Sequence, residues 1–135
     1  MSSQEVRPLG PLCEADRTCV LVVEDEILIR LMLSEGLRDA GYHVIEAFNA
    51  DEAMVILETA IPDIVISDVR MPGSIDGLGL VRAVRERRSS LPVILTSGHL
   101  DPAEAVAEGA TQFIAKPYRI ETLVREVRSV LEQAN

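Results

Sequence analysis

The sequence is poor in aromatic residues: two tyrosines, two phenylalanines and no tryptophan occur among its 135 residues. The core must therefore be built from aliphatic side chains. No apolar run approaches the roughly 20 residues that a transmembrane helix requires, and no signal peptide opens the chain. We therefore expect a cytoplasmic protein with no membrane partner.

Cysteine and positive charge are also scarce. Cys13 and Cys19 have neither metal-ligand nor redox-motif spacing, which indicates two inert thiols in a reducing compartment. Thirteen basic residues against 22 acidic ones leave a formal net charge of −9. Because binding to nucleic acid requires clustered basic residues, we expect no direct nucleic-acid partner. Four arginines do crowd one stretch, and we interpret them as a solvated helix face: Arg82, Arg85, Arg87 and Arg88.

The apolar residues follow two alternating periodicities. We expect residues 1–17 to form a flexible leader and residues 18–135 to form one domain, because this length allows one core but not two. Short apolar runs predict buried strands at 20–23, 42–47, 64–66, 93–95 and 113–115. Helical spacing follows each run, so the sequence predicts a single α/β domain whose parallel sheet is covered on both faces.

Local signals mark several helix ends. Asn49, with a glutamate three residues later, resembles a capping box, and Pro62 is expected to end the same helix. Asp101-Pro102 predicts the start of the fourth helix and Gly109 its end. The first helix is expected to bury one face, made of Ile29, Met32, Leu33, Gly36 and Leu37.

The first helix carries more apolar residues than this face needs. Ile27, Leu28 and Leu31 are additional, and some of them should stay exposed. Exposed apolar patches mark partner surfaces. A docking surface and extra core packing are equal alternatives at this point.

Polar residues stand where four of the predicted strands end: Glu24 and Asp25, then Asp68, Thr96 and Lys116. A polar turn is the ordinary explanation for any one of them, but the carboxyl ends of parallel strands share one edge, where ligands bind. Three converging carboxylates repel one another by about 1 to 4 kcal/mol per pair, so cations are needed among them. Lys116 is one, and Mg²⁺ suits the oxygen ligands. One carboxylate could then attack a phosphoryl group.

Four short segments carry a family resemblance: VVEDE at 22–26, SDVRMPG at 67–73, LTSG at 95–98 and AKPY at 115–118. In this order and spacing they resemble the receiver domain of two-component response regulators, across residues 19 to about 132. The resemblance implies a flavodoxin-like, doubly wound (βα)5 fold with strand order 2-1-3-4-5. It also implies a regulatory phosphoprotein and not an enzyme in its own right. The loop at 72–77 is one residue longer than the family's commonest form.

The resemblance implies a role for each acidic residue. Asp68 matches the phospho-acceptor, Asp25 the direct Mg²⁺ ligand, and Glu24 the neighbour that acts through water. The backbone carbonyl of Arg70 matches a further metal ligand. The side chain of Arg70 lies where it could set the lifetime of the phosphorylated state, or it could be an ordinary solvated arginine.

The resemblance also implies how the switch responds. Thr96 and Lys116 match the pair that binds the phosphoryl oxygens, and Phe113 matches the aromatic residue that turns inward when Thr96 moves. The Lys116-Pro117 bond is expected to be cis. The implied partners are a sensor histidine kinase or histidine phosphotransfer protein, docked on the first helix, and a second copy bound through the fourth helix, fifth strand and fifth helix.

Three alternatives accompany a stand-alone regulator. The chain could be the receiver of a longer transcription factor or hybrid kinase. It could be an aspartyl-phosphate hydrolase, but that family requires a second aspartate where this sequence has Arg70. It could be a degenerate receiver that only binds partners, which the intact acids, Thr96 and Lys116 disfavour.

Overall fold

Five strands alternate with five helices in the structure, a computed structural model that describes residues 17–134. They are β1 (Cys19–Val23), α1 (Ile27–Asp39), β2 (His43–Ala47), α2 (Ala50–Leu57), β3 (Ile64–Asp68), α3 (Gly77–Arg87), β4 (Val93–Ser97), α4 (Pro102–Ala107), β5 (Gln112–Ala115) and α5 (Ile120–Ala134). All strand pairs are parallel, in the order β2-β1-β3-β4-β5. The expected fold and strand order are confirmed. Of the predicted leader only Arg17 is described, and Cys13 lies outside the described residues.

Two aliphatic layers, one on each face of the sheet, form the core. Neighbouring strand residues point to opposite faces, so Val23 packs in the layer of Leu80 from α3, whereas Val22 packs with Leu37 of α1 and Leu123 of α5. Helices α2 and α4 contribute to the first layer. Among the described helices, none has both the length and the apolar character needed to cross a bilayer.

Strand ends differ from the predicted ones by one or two residues, and two of these differences matter. β3 continues to Asp68 and β4 to Ser97, so Asp68 is the last residue of its strand and Thr96 lies inside its own. These two residues are Cα partners across the β3–β4 pair. The sheet ladder itself therefore fixes where both backbones sit.

Capping side chains set the starts of α2 and α4 as predicted. Asn49 and Asp101 each accept a backbone N–H from the first turn of their helix, at 2.8 and 3.0 Å. Gly109 follows α4 with φ of +111°, in the region that favours glycine. The prediction that Pro62 ends α2 is wrong, because α2 ends at Leu57, five residues earlier. The N–H groups of residues 58 and 59 donate to carbonyls three residues back, which tightens the chain into a turn there.

The buried face of α1 is narrower than predicted. Leu33, Ser34 and Leu37 are buried, but Met32 is 54% exposed, so its assignment to the core is wrong. The face of α1 that packs on the sheet runs through positions 33, 34 and 37, and position 32 lies beside this face. Ile27, Leu28 and Leu31 are also exposed, as a docking surface requires and extra core packing does not. We call these four residues the α1 patch: Ile27, Leu28, Leu31 and Met32.

Two of the crowded arginines are not a solvated face. Arg85 donates to the carbonyls of Leu91 (2.6 Å) and Gly109 (2.8 Å), and Arg88 donates to the carbonyl of Leu57 (2.7 Å). Leu57 is the last residue of α2, and Leu91 and Gly109 lie in the connections after α3 and α4, where backbone carbonyls lack a partner within a helix. The interpretation of this stretch as a solvated face is wrong for these two residues.

Candidate functional site

Three carboxylates meet at the carboxyl edge of the central strands. One oxygen from each of Glu24, Asp25 and Asp68 lies within 4.8 Å of the others. Glu24 and Asp25 directly follow β1, and Asp68 ends the adjacent strand β3. Glu24 and Asp68 are buried, whereas Asp25 is exposed. The convergence expected from the strand ends is present.

Lys116 supplies a positive charge to this cluster. It directly follows β5, and its Nζ lies 3.3 Å from Asp68 Oδ2 and 3.6 Å from Glu24 Oε1. The Lys116-Pro117 peptide bond is cis, as expected. One ammonium beside three carboxylates leaves the cluster negatively charged, so it is suited to a further cation.

Glu24 is held by its backbone and its side chain. Its N–H donates to the carbonyl of Ala47 (3.0 Å), and its Oε2 accepts the N–H of Glu26 (3.1 Å). Burial raises the pKa of Glu24 to about 7; the Asp68 carboxylate adds to the rise, and the bond from Glu26 and the Lys116 ammonium oppose it. An ionised Glu24 is therefore costly in the metal-free protein.

Asp68 presents one oxygen to Lys116 and the other to the backbone. Oδ1 accepts the N–H of Val69 (2.9 Å), while Oδ2 faces Lys116. Burial raises the pKa of the Asp68 carboxyl, and Lys116 opposes that rise. The segment after β3 closes back here, because the N–H of Gly77 donates to the carbonyl of Val69 (2.8 Å). A Cβ at Gly77 would overlap the Asp68 carbonyl oxygen, so only glycine allows this approach.

A cavity of about 600 Å³ opens beside Asp68. It is larger than a phosphoryl group needs. Its lining combines charged or polar residues with apolar ones: Asp25, Glu26, Asp68, Arg70, Ser97, Gly98, His99 and Lys116, and Ile29, Met32, Pro117, Tyr118 and Ile120. Met32 belongs to the α1 patch, so the patch and the acidic cluster border one opening.

The two predicted switch residues do not line the cavity. Thr96 is 2% exposed, whereas its neighbour Ser97 does line the cavity. The hydroxyl of Ser97 accepts the N–H groups of His99 (3.1 Å) and Leu100 (3.2 Å), which orders the segment between β4 and α4. Phe113 is partly buried and packs against the layer that contains α2 and α3. Thr96 is thus beside Asp68 in the sheet, and Phe113 lies on the next strand.

Sequence reasoning did not assign Tyr118 or His99 to the site, although both line the cavity. The Tyr118 hydroxyl is buried without a hydrogen-bond partner. Burial and the carboxylates of Glu24 and Asp68 raise the pKa of Tyr118 well above its ordinary value. The position of Tyr118 two residues after Lys116 was the available signal.

The donor set fits a hard divalent cation. All three acids offer carboxylate oxygens, which Mg²⁺ prefers, and the cavity leaves room for further oxygen ligands. Arg70 lines the same cavity, where the resemblance puts its backbone carbonyl on the metal.

Replacing Glu24 with glutamine should stabilise the metal-free protein at high pH. Since the folded-state pKa of Glu24 is raised from 4.5 to about 7, the wild type loses stability as pH rises through this range. The loss amounts to about 3 kcal/mol, at 1.36 kcal/mol per pKa unit. In EDTA, urea unfolding should show Glu24→Gln more stable than wild type at pH 8, with the difference shrinking toward pH 4.5. Glu35→Gln, at an exposed position of α1, is the control; a Glu24→Gln protein less stable than wild type at pH 8 contradicts this account.

The fold and the site define a doubly wound α/β domain with an acidic cluster at the carboxyl edge of its sheet. Residues 20–128 match the response regulator receiver domain, and the chain belongs to that family. It is 36% identical over 118 residues to the DNA-binding transcriptional regulator NtrC of Salmonella typhimurium, covering 85% of this chain and 25% of NtrC. It is 36% identical over 117 residues to the transcriptional regulatory protein PhoP of Escherichia coli, covering 84% of this chain and 52% of PhoP.

Among solved structures, the chemotaxis protein CheY4 of Vibrio cholerae is similar to this chain. The TM-score is 0.78 with 36% identity, covering 84% of this chain and 98% of CheY4. The chain thus spans about half or less of the two curated relatives, but nearly all of CheY4 has a counterpart in it.

Proposed function

We propose that the chain is a phospho-accepting receiver in a two-component phosphorelay. Asp68 takes a phosphoryl group from a sensor histidine kinase or a histidine phosphotransfer protein. The observation that carries this proposal is the Asp68 carboxylate, grouped with Glu24 and Asp25 and 3.3 Å from Lys116, at the edge of an open cavity.

The chemistry is a transfer between two covalent carriers. A carboxylate oxygen of Asp68 bonds to phosphorus as the phosphorus–nitrogen bond to the donor's imidazole breaks, and the imidazole leaves as the neutral ring after taking a proton. Phosphoryl transfer requires mainly positioning and charge neutralisation, which Lys116 provides at Asp68. Attack of water on the resulting acyl phosphate releases inorganic phosphate and restores Asp68. The chain is in this sense a regulator and not an enzyme that turns over substrates of its own.

Glu24, Asp25, Asp68 and the backbone carbonyl of Arg70 would hold Mg²⁺. When bound, Mg²⁺ neutralises charge on the phosphoryl oxygens. The three acids would place the positive charge of Mg²⁺ beside the cavity. The Lys116 ammonium balances the negative charge on Asp68 Oδ2, which lies 3.3 Å from it.

The response starts at Thr96. The acyl phosphate adds about 1.5 to 2 negative charges beside the sheet edge. Thr96 and Lys116 close on its oxygens, and Phe113 follows inward. The surface formed by α4, β5 and α5 then changes, and a second copy of the chain could bind there. We place this cycle in the cytoplasm, with no direct contact to nucleic acid or membrane by this domain.

A receiver within a longer protein is the second candidate. Its support is the partial coverage of NtrC and PhoP, 25% and 52% of their lengths. The same Asp68 chemistry would then drive an attached effector or kinase. An aspartyl-phosphate hydrolase has less support, because Arg70 occupies the position of its second aspartate.

Intact-mass measurement tests the proposal. Incubation with acetyl phosphate and Mg²⁺ should add one labile phosphoryl group, and EDTA should suppress the addition. If no addition occurs, even with a supplied phosphohistidine protein, the proposal is wrong.

The α1 patch is proposed as the docking surface for the phosphohistidine donor. Leu28 is 72% exposed, and patch residue Met32 borders the cavity of Asp68. We expect Leu28→Ser to slow transfer from a phosphohistidine protein by about 10-fold, the loss typical of one buried interface anchor. Its rate with acetyl phosphate, which needs no docking, should be unchanged.

Val55→Ser is the matched control for this prediction, because Val55 is 63% exposed on α2, outside the patch. Equal rates for Leu28→Ser and Val55→Ser with the phosphohistidine protein would rule out the docking role.

A further inference from the structure

Arg30 connects α1 to the backbone of the acidic cluster. Its side chain is 16% exposed and donates twice: Nη1 to the Glu24 carbonyl (2.8 Å) and Nε to Glu46 Oε1 (3.1 Å). Glu46 lies on β2, the strand next to β1. The guanidinium therefore links the first turn of α1 to β2 and also to the Glu24 carbonyl, which directly follows β1.

The Glu24 carbonyl belongs to the peptide that joins Glu24 to Asp25. A change in the ψ angle of Glu24 that turned this carbonyl away would also shift the backbone at Asp25, whose carboxylate must converge with those of Glu24 and Asp68. The preceding peptide, between Val23 and Glu24, is held by the bond from the Glu24 N–H to the Ala47 carbonyl. A buried carbonyl that lost its donor would cost about 1 to 3 kcal/mol unless it turned toward a new partner. Removing the guanidinium therefore favours a different peptide orientation.

We propose that Arg30 is a positioning residue for the metal-binding acids, because it fixes the Glu24–Asp25 peptide in the orientation that lets both carboxylates converge. This inference rests on the proposed function, since it presumes that the acids bind Mg²⁺. Within the described residues, Arg30 does not line the cavity, and its hydrogen bonds go to Glu46 and to the Glu24 carbonyl, not to the carboxylates of Asp25 and Asp68.

A simple charge effect predicts the opposite sign. Arg30 is a cation near the acids, and its removal should strengthen the attraction of the cluster for Mg²⁺. The positioning role predicts weaker binding instead. The direction of the change therefore separates the two explanations.

Arg38 provides a matched control. It lies on the same helix and contacts the same partner, with Nη2 3.3 Å from Glu46 Oε2, and it donates to the carbonyl of Val44 (3.2 Å). Arg38→Gln removes the same charge and an ion pair with the same carboxylate, but leaves the Glu24 carbonyl untouched.

Calorimetric titration with Mg²⁺ tests the inference on the full chain. Arg30→Gln should raise the Kd for Mg²⁺ by about 10-fold, the lower bound for residues that orient metal ligands. Arg38→Gln should stay close to wild type, and urea unfolding of the two variants should show whether they lose similar stability. A Kd for Arg30→Gln equal to or below that of Arg38→Gln overturns the positioning role.

Arg30→Lys decides the question if Arg30→Gln does not fold. It keeps the charge, but one nitrogen replaces the two that bind the Glu24 carbonyl and Glu46 at once. We expect its Kd for Mg²⁺ to be higher than that of wild type, and an unchanged Kd overturns the inference.

The two levels of the hypothesis fail differently. Wild-type protein that neither binds Mg²⁺ nor takes up phosphoryl from acetyl phosphate would refute the proposed function, and the positioning role with it. If the wild type binds Mg²⁺ and takes up phosphoryl, but Arg30→Gln and Arg38→Gln have the same Kd for Mg²⁺, the positioning role alone is refuted.

Discussion

Asp68→Asn should take up no phosphoryl group from acetyl phosphate or from a phosphohistidine protein. The amide keeps the shape of the side chain but is not a nucleophile, and the neighbouring acids are committed to other roles: Glu24 is buried and hydrogen-bonded, and Asp25 would ligate the metal. Intact mass after incubation with Mg²⁺ and donor measures the loss. Asp39→Asn, which removes an exposed carboxylate at the far end of α1, should label as wild type does.

The same substitution has a second expected effect. Burial raises the pKa of the Asp68 carboxyl, so the ionised group destabilises the metal-free fold at neutral pH. Asp68→Asn should therefore have a higher free energy of unfolding than wild type in EDTA at pH 7.5. A protein that is inactive and also less stable would point to misfolding, and one that still labels at wild-type stoichiometry would show that another residue is the acceptor.

Lys116→Met should slow phosphoryl uptake by about 100-fold, the effect of removing one group that stabilises charge in the transition state. Methionine fills similar volume but leaves Asp68 and Glu24 without the ammonium that lies 3.3 and 3.6 Å from them. The time course of labelling at saturating Mg²⁺ measures the rate. Mg²⁺ should still bind, because the three acids remain.

Arg119→Met is the control for Lys116→Met. It removes an exposed cation three positions along the chain, and its labelling rate should equal that of wild type. A Lys116→Met rate within about twofold of wild type would mean that the lysine does not stabilise charge at the transition state.

The fold could be predicted because two periodicities separate cleanly in this sequence. Runs such as 20–23 and 93–95 are apolar on both faces, as a parallel sheet covered by helices requires. Their ends were less certain, because polar residues continue the ladder at Asp68 and Ser97 and carry no apolar signal. Met32 was misplaced for a related reason: spacing gives the helical face only to within one position, and packing against the sheet selects the stripe through Leu33 and Leu37.

The site was predictable as far as strand ends could show it. Glu24, Asp25, Asp68 and Lys116 follow apolar runs, and parallel topology brings such positions together. Contacts made by long side chains across the fold left no comparable signal. The bond from Arg30 to the Glu24 carbonyl is one case. The hydrogen bond from Arg85 to the Gly109 carbonyl is another. The sequence does not show whether a helical arginine binds water or a distant carbonyl.

Gly77 has a consequence for genetics. It carries no functional group, yet any side chain there would press on the carbonyl of Asp68 and separate α3 from the end of β3. An allele that replaces Gly77 would behave in a selection like an allele of the acceptor itself, although it leaves every reactive atom in place. Mutational maps of this protein should therefore score position 77 with the acidic residues and not with the surface loops around it.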